Sequence, residues 1–339
     1  MIMVILTITL TERCFAFSVN KNIVELNENY CYDEMIMDLN ELREKYPLFF
    51  DVEIIGQSMD NRDIFLIKIG TGSKKILCTA GVHAREVPNT NLLMKMAEAY
   101  CSKASTGESL AGFNVEEYLK KYQLQIVPVV NPDGYVLCTQ GTKIIKDGNL
   151  KQKVVELLSK SKSNIYDWKA NANGVDINRN FDVKYWKKIE KKPHSTFVNH
   201  YNYAYYGGEK PNSEPETLAM VELFKRQDYE LYLDFHSRGR IIYWYKLAES
   251  KAYNQRQRAL AQAIQHETRY RLVPEGEDNQ INGTEGTTTD YFSEKYKNPT
   301  FTIETFLGGS GYPITIKHYQ AEYERIYLLP LILMEQLQK

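Results

Sequence analysis

Apolar, strand-like runs alternate along most of this chain with segments in which apolar residues recur at helical spacing. Runs such as Lys75–Val82 and Tyr122–Val130 are apolar at most positions, which is typical of strands buried on both faces of a sheet. The predicted strands are Asp51–Gln57, Ile64–Ile69, Lys75–Val82, Tyr122–Val130, Glu230–Phe235, Ile241–Tyr245 and Thr300–Thr305. The predicted helices are Tyr32–Tyr46, Thr90–Cys101, Glu214–Arg226, Ala252–Glu267 and His318–Gln338. Asn131–Gly134 is predicted to be the turn that closes the strand Tyr122–Val130. This alternation predicts a single-domain α/β/α sandwich around a mixed, largely parallel central sheet.

Composition and charge exclude several classes of protein. A chain of 339 residues with 43% hydrophobic and 25% charged residues can bury a sizeable core without disulfide bonds. The formal net charge of -1 argues against a broad electrostatic attraction to nucleic acid. The five cysteines are widely spaced and form no CxxC pair, so neither a cysteine-zinc site nor a disulfide framework is predicted. Nothing in the sequence indicates an oligomeric state.

A polar pair directly follows the apolar run Lys75–Val82. His83 and Glu86 are three residues apart, so on one helical turn their side chains converge, with roughly 5–6 Å between Cβ atoms. A catalytic zinc takes three ligands of the His/His/Glu kind and leaves a fourth position for water. An isolated HxxE pair is more often a turn of a surface helix, so a metal site requires a third ligand from elsewhere in the chain.

His236 is the best candidate for that third ligand, because it ends the apolar run Leu231–Phe235. A buried structural histidine is the alternative at this position. Ligands of α/β sheets bind beyond the carboxyl ends of the strands, and His83 follows another such run, which favours the metal site. The other histidines lie in a polar loop or on amphipathic segments: His194, His200, His266 and His318.

Six runs of the chain, in their order and spacing, resemble the zinc carboxypeptidase family of the carboxypeptidase A type. The likeness extends from about Tyr30 to Lys339, which is nearly the whole chain. The matching runs are GVHAREVPNT (81–90), NPDGY (131–135), WKANANGVDINRNFD (168–182), SEPET (213–217), DFHSRG (234–239) and FTIET (301–305).

The resemblance implies one zinc ion per chain, held by His83, Glu86 and His236. It also places Asp176 as the carboxylate that orients a ligand histidine, a contact that fixes the tautomer and raises the basicity of the ligand. A loop aspartate that stabilises a turn is the alternative for Asp176.

Glu304 matches the family's general base. It lies in the otherwise apolar run Thr300–Thr305, where a carboxylate is costly unless it pairs with a cation or with the water that the metal activates. In this role it takes the proton of that water and passes it to the leaving amine. A glutamate at a solvated strand edge is the alternative.

Asn178 and Arg179 match the pair that binds the free carboxylate of the substrate residue beyond the cut bond, a task that suits the planar fork of an arginine. A solvated loop arginine is the alternative for Arg179. Two features depart from the family. Lys169 stands where the family has an arginine that stabilises the oxyanion, and it supplies positive charge without the fork. Gln280–Gly286 lacks the mobile tyrosine of digestive carboxypeptidases, so proton donation and closure of the pocket must differ.

With these departures, the sequence resembles a bacterial branch of the family, the γ-D-glutamyl-diamino-acid endopeptidases and murein peptide amidases. Such enzymes cut the bond between γ-linked D-glutamate and meso-diaminopimelate, or a related diamino acid, in peptidoglycan peptides. The γ-linkage leaves an α-carboxylate beside the cut bond, and we expect Arg238 or Arg240 to pair with it; for each, a solvated turn arginine is the alternative. The runs that carry this likeness are Trp168–Asn171, His236–Gly239, Ile242–Trp244 and Thr289–Phe292.

Two other functions compete with cleavage of muropeptides. One is a general metallocarboxypeptidase that trims ordinary α-peptides. The other is an inactive wall-peptide binding module on the same fold, which usually requires loss of a metal ligand or of the base. All four of those residues, His83, Glu86, His236 and Glu304, are present here.

The first residues differ from the rest of the chain. Met1–Leu10 is almost wholly apolar, but no lysine or arginine precedes it and Glu12 follows it closely. The run is too short to span a bilayer, so no stable membrane insertion is expected. We expect residues 1–24 to form an N-terminal arm or a degenerate export signal, and residues 25–339 to form the catalytic domain, either in the cytoplasm or exported.

Overall fold

The sheet at the centre of this computed structural model has eight strands. The structure describes residues 22–184, 186, 198–276, 286–309 and 311–339, so Met1–Leu10, Cys14, His194 and most of Gln280–Gly286 lie outside it. The strands are Phe50–Gln57 (β1), Asp63–Ile69 (β2), Lys74–Thr79 (β3), Tyr122–Val127 (β4), Tyr229–Ser237 (β5), Ile241–Tyr243 (β6), Arg271–Leu272 (β7) and Thr300–Thr305 (β8).

The strands follow the order β1-β2-β4-β3-β5-β8-β6-β7 across the sheet. The four central strands β4, β3, β5 and β8 are parallel, whereas β1, β2 and β6 each pair antiparallel with a neighbour. The sheet is therefore mixed, with a parallel centre, which confirms the predicted fold class. Parallel strands bring their carboxyl ends to one edge, and that edge holds the residues that the sequence singled out.

Helices cover both faces of the sheet. Ile76 and Cys78 of β3 belong to one apolar core and Leu77 between them belongs to another, because successive side chains of a strand point to opposite faces. All three are fully buried, as the continuous apolar run predicts. The helices are Tyr32–Lys45 (α1), Val87–Thr106 (α2), Val115–Lys121 (α3), Pro132–Gln140 (α4), Gly148–Ser161 (α5), Pro215–Arg226 (α6), Lys251–Thr268 (α7), Thr288–Tyr296 (α8), Tyr319–Ile326 (α9) and Leu329–Gln336 (α10).

Two local predictions were wrong. The predicted turn 131–134 is the start of α4: the side chain of Asn131 caps the helix by accepting a hydrogen bond from the Gly134 N–H at 2.9 Å. The predicted helix His318–Gln338 is two helices, α9 and α10, with Pro330 in the first turn of the second, because proline cannot donate the hydrogen bond that a continuous helix needs there. Helices α3, α5 and α8 and the short strand β7 were not predicted.

Two simpler features belong to the described part of the chain. Its four cysteines, Cys31, Cys78, Cys101 and Cys138, are all free thiols. Among the described residues, no helix combines the length and apolar character needed to cross a bilayer.

Candidate metal centre

Two neighbouring parallel strands bring the predicted metal ligands together. Strands β3 and β5 pair in register, with Thr79 opposite Asp234, so the segment after β3 and the end of β5 meet at one edge of the sheet. His236 lies in β5, while His83 and Glu86 lie in the turn that leads from β3 into α2. Glu86 is the N-cap of α2 and not part of a helical turn with His83, which corrects the predicted local geometry. All three side chains are buried.

The three side chains present their ligand atoms to one another. Nδ1 of His83 lies 2.9 Å from Glu86 Oε1, and Nδ1 of His236 lies 3.0 Å from Glu86 Oε2. The two Nδ1 atoms are themselves 3.0 Å apart. This is the one group of at least three possible ligands among the described residues whose ligand atoms all lie within 4.8 Å of one another.

The far nitrogen of each imidazole faces a carboxylate. Nε2 of His236 lies 2.9 Å from Asp234 Oδ2, and Nε2 of His83 lies 3.3 Å from Asp176 Oδ1. Because a carboxylate only accepts hydrogen bonds, the Asp234 contact favours the tautomer of His236 that carries its proton on Nε2. The charge of Asp176 favours the same tautomer of His83, although no hydrogen bond joins His83 Nε2 to a described residue. The Nδ1 lone pairs of the two imidazoles then point at each other and at Glu86, an arrangement that a metal cation or a proton stabilises.

The donor set fits zinc. Zinc–nitrogen and zinc–oxygen bonds of about 2.0–2.1 Å in a tetrahedral site place two ligands roughly 3.3 Å apart. The separations here, 2.9 and 3.0 Å, are close to that distance. Without a metal, the negative charges around His236 favour its protonated form. Burial lowers the pKa of His236, but Asp234 and Glu86 outweigh burial and raise this pKa well above its ordinary value. The described residues therefore hold a site for one zinc ion.

Asp234 is a site residue that the sequence analysis missed. Its side chain accepts hydrogen bonds from Thr79 Oγ1 at 2.7 Å and from Thr288 Oγ1 at 2.5 Å, and it is fully buried. The signal was present, since Asp234 and His236 are two apart on a predicted strand and must share one face. The apolar residues of the strand do not by themselves indicate which polar side chain pairs with the histidine.

Replacing Asp234 with asparagine is expected to weaken zinc binding by about 10- to 100-fold, since such outer partners orient the ligand and raise its basicity. Competition with a chromogenic chelator measures the change in zinc affinity. Asp228→Asn, at an exposed position just before β5, is the matched control and should bind zinc as the unchanged chain does. Equal affinity in the two variants would contradict this role for Asp234.

Glu304 lies beside the predicted metal ligands, on the adjacent strand. Strands β5 and β8 pair in parallel with His236 opposite Glu304, so the two residues are direct neighbours across the sheet. Burial, and next the negative charge of Glu86, raise the pKa of Glu304 to about 7. A metal cation held by Glu86 and the histidines would favour the ionised form that can accept a proton.

Two cations share Asp176 on the other side of His83. Arg179 Nη1 donates to Asp176 Oδ2 at 2.7 Å, and Lys169 Nζ lies 4.0 Å from the same oxygen. Burial opposes ionisation of Asp176, but Arg179 and then Lys169 hold its pKa well below the usual range. Burial is the strongest influence on Lys169, and it lowers the pKa of that amine to about 8. The cations predicted to contact substrate thus lie next to the predicted metal ligands, with Asp176 between them and His83.

Asn178 joins the same cluster. Its Oδ1 accepts a hydrogen bond from the Thr288 N–H at 2.9 Å, and its Nδ2 lies 3.4 Å from His236 Nε2. The side chain therefore lies between the start of α8 and His236. The resemblance assigned Asn178 to the substrate carboxylate, and the structure adds this contact within the site.

The structure separates the two arginines proposed for the second carboxylate. Arg240 Nη2 lies 2.6 Å from Glu322 Oε2, and Glu322 is fully buried, so Arg240 is committed to an internal ion pair. The guanidinium carbon of Arg238 lies 4.7 Å from the ring centroid of Tyr312. Tyr312 was not singled out from the sequence, and its position in a glycine-rich loop gives no periodic signal.

The chain is similar in sequence to proteins of a known family. A model of the zinc carboxypeptidase family matches residues 35–326. Gamma-D-glutamyl-L-diamino acid endopeptidase 1 of Lysinibacillus sphaericus is 30% identical over 302 residues, which is 89% of this chain and 71% of that protein. Carboxypeptidase A2 of Rattus norvegicus is 24% identical over 71% of this chain, and the match spans 54% of that longer protein.

A solved structure shares the fold. The crystal structure of thrombin activatable fibrinolysis inhibitor superposes with a TM-score of 0.72 at 18% sequence identity, over 94% of this chain and 77% of that one. At this level of identity, the superposition establishes a common architecture and no more.

Proposed function

Because this chain belongs to the zinc carboxypeptidase family of metallopeptidases, we propose that its substrate is a peptidoglycan peptide in which it hydrolyses the amide bond between γ-linked D-glutamate and a diamino acid. The observation that carries the hydrolytic part is the convergence of His83, Glu86 and His236 beside Glu304. The substrate part is supported by the Lysinibacillus relative, named as a γ-D-glutamyl-L-diamino acid endopeptidase.

Each proposed role follows from the position of the side chain. Zinc, when bound, supplies Lewis-acid activation of water and of the scissile carbonyl. Glu304, with its raised pKa, accepts the proton of the attacking water and delivers it to the leaving amine. Lys169, buried and with a pKa near 8, is charged in most molecules at neutral pH and donates to the oxygen on which negative charge develops.

Two sets of residues are proposed to recognise carboxylates of the substrate. Asn178 and Arg179, which lie around Asp176 and His236, are assigned to the free carboxylate of the diamino acid beyond the cut bond. Arg238 is assigned to the α-carboxylate that the γ-linkage leaves on the D-glutamyl residue. Arg240 is less suited to that task, since removing it from Glu322 would leave a buried carboxylate without its cation.

The deciding experiment compares L-Ala-γ-D-Glu-diaminopimelate with a blocked α-dipeptide that ends in a free carboxylate. We expect kcat/KM to be at least about 100-fold higher for the γ-linked peptide, since only this substrate offers Arg238 the additional carboxylate. Mass spectrometry of the products identifies the bond that is cut.

Other outcomes assign the other functions. Faster cleavage of the α-dipeptide would overturn the proposal and indicate a general metallocarboxypeptidase. Binding of the γ-linked peptide without turnover by the zinc-loaded chain would indicate a wall-peptide binding module. The Glu304→Gln variant serves as the inactive control in both assays.

A further inference from the structure

A tyrosine outside the family motifs contacts two arginines next to the metal ligands. The guanidinium carbons of Arg85 and Arg238 each lie 4.7 Å from the ring centroid of Tyr312. The hydroxyl of Tyr312 donates to the carbonyl oxygen of Ser237 at 2.6 Å. Because the face of an aromatic ring attracts a guanidinium group, one ring can hold two like charges close together.

Backbone segments that carry the proposed metal ligands also carry or contact these three side chains. Arg85 lies between His83 and Glu86 in the sequence, and Arg238 follows His236 by two residues. The Ser237 N–H donates to Glu86 Oε2 at 3.1 Å, so the residue that anchors Tyr312 also contacts a proposed ligand. A substrate group bound by the arginines would therefore lie close to the bond that is cut.

Arg85 has capacity for a further partner. Within the part of the chain that the structure describes, it forms no ion pair, and its Nε is buried without a hydrogen-bond acceptor. Its Nη1 reaches only the carbonyl oxygen of Asp167, at 3.5 Å. A planar fork with unused donors fits a carboxylate.

We propose that Tyr312 is a specificity-determining positioning residue. It holds Arg85 and Arg238 side by side so that both contact the α-carboxylate of the γ-linked acidic residue on the acyl side of the cut bond. This inference rests on the proposed function and adds Arg85 and Tyr312 to the single arginine considered above. An α-linked peptide has an uncharged amide in place of that carboxylate, so the pair selects for the γ-linkage.

The test uses two substrates that differ by one charge. In L-Ala-γ-D-Glu-diaminopimelate the α-carboxylate is free, and in the γ-D-isoglutaminyl analogue it is a carboxamide of nearly the same shape. For the unchanged chain we expect kcat/KM to be about 100-fold higher with the free carboxylate. The ratio of the two kcat/KM values is the readout, because damage to the fold lowers both values together.

Three variants separate positioning from folding. Tyr312→Leu removes the ring and should lower the ratio by about tenfold, with kcat/KM on the carboxamide substrate changed by less than about threefold. Tyr312→Phe keeps the ring and should keep most of the ratio. Tyr118→Leu, near the amino end of β4 and so at the opposite edge of the sheet, is the control and should leave the ratio unchanged.

Different results would overturn the inference about Tyr312 and the proposed function. An equal loss on both substrates in Tyr312→Leu would show that Tyr312 only stabilises its loop, and it would overturn the inference. Equal cleavage of both γ-linked substrates by the unchanged chain would also overturn it while leaving the proposed function intact. Cleavage of α-peptides alone would overturn the proposed function, and this inference with it.

Discussion

Replacing Glu304 with glutamine is expected to lower kcat by about 10²- to 10⁴-fold, the range that removal of a general acid–base group produces. The two side chains have nearly the same shape, but the amide has no lone pair basic enough to take a proton from water. Glu304 lies directly opposite His236 in the pairing of β5 with β8, which places its carboxylate next to a proposed ligand. Initial rates on the γ-linked peptide measure the change.

Two controls make the Glu304 result specific. Zinc content, measured by elemental analysis, should be unchanged in Glu304→Gln, because Glu304 is not in the ligand group. Glu44→Gln changes an exposed glutamate of α1 in the same way and should retain full activity. Activity of Glu304→Gln within a few-fold of the unchanged chain would exclude Glu304 as the base, whatever its zinc content.

Replacing His236 with alanine is expected to weaken zinc binding by about 100- to 1,000-fold, because a binding free energy of about 10–16 kcal/mol is divided among three or four ligands. The variant also leaves Asp234 buried with one partner fewer, which adds a cost to folding. Zinc titration of the chelator-treated protein measures the affinity. Activity of the unchanged chain should disappear on chelation and return when zinc is added.

The comparison variant for His236 lies far from the proposed ligands in the sequence. His266→Ala removes an exposed histidine of α7 and should leave both zinc affinity and activity unchanged. Thermal unfolding of His236→Ala in the absence of metal distinguishes a folded protein that has lost a ligand from one that has not folded. A folded His236→Ala variant that binds zinc as tightly as the unchanged chain would rule out this residue as a ligand.

The residues at the metal centre differ in how far the sequence could predict them. His83 and His236 stood out because each ends or follows an apolar run, and the fold does place those ends at one edge of the sheet. Asp234 could have been predicted from its two-residue spacing to His236 on a strand. The pairing of Arg240 with Glu322 joins residues 82 apart and leaves no local pattern, so the sequence could not choose between Arg238 and Arg240.

The ends of the strands and helices also differ in how far the sequence could predict them. The apolar periodicity predicted most strands to within a few residues, because burial on one or both faces repeats every second residue. The segment that starts at Asn131 was predicted as a turn because asparagine, proline and glycine are common both in turns and at the start of a helix. The break before Pro330 was not predicted, although proline is common in the first turn of a helix.

The sequence by itself determined the alternation of strands and helices and the kinds of side chain at the strand ends, because both follow from contacts between near neighbours along the chain. Only the tertiary structure decided that Glu86 and His236, 150 residues apart, meet at 3.0 Å with Nδ1 turned inward and Nε2 turned toward Asp234. The order of strands in the sheet brings such distant segments together, and that order depends on how whole elements pack. The positions of Tyr312 and its two arginines were decided in the same way.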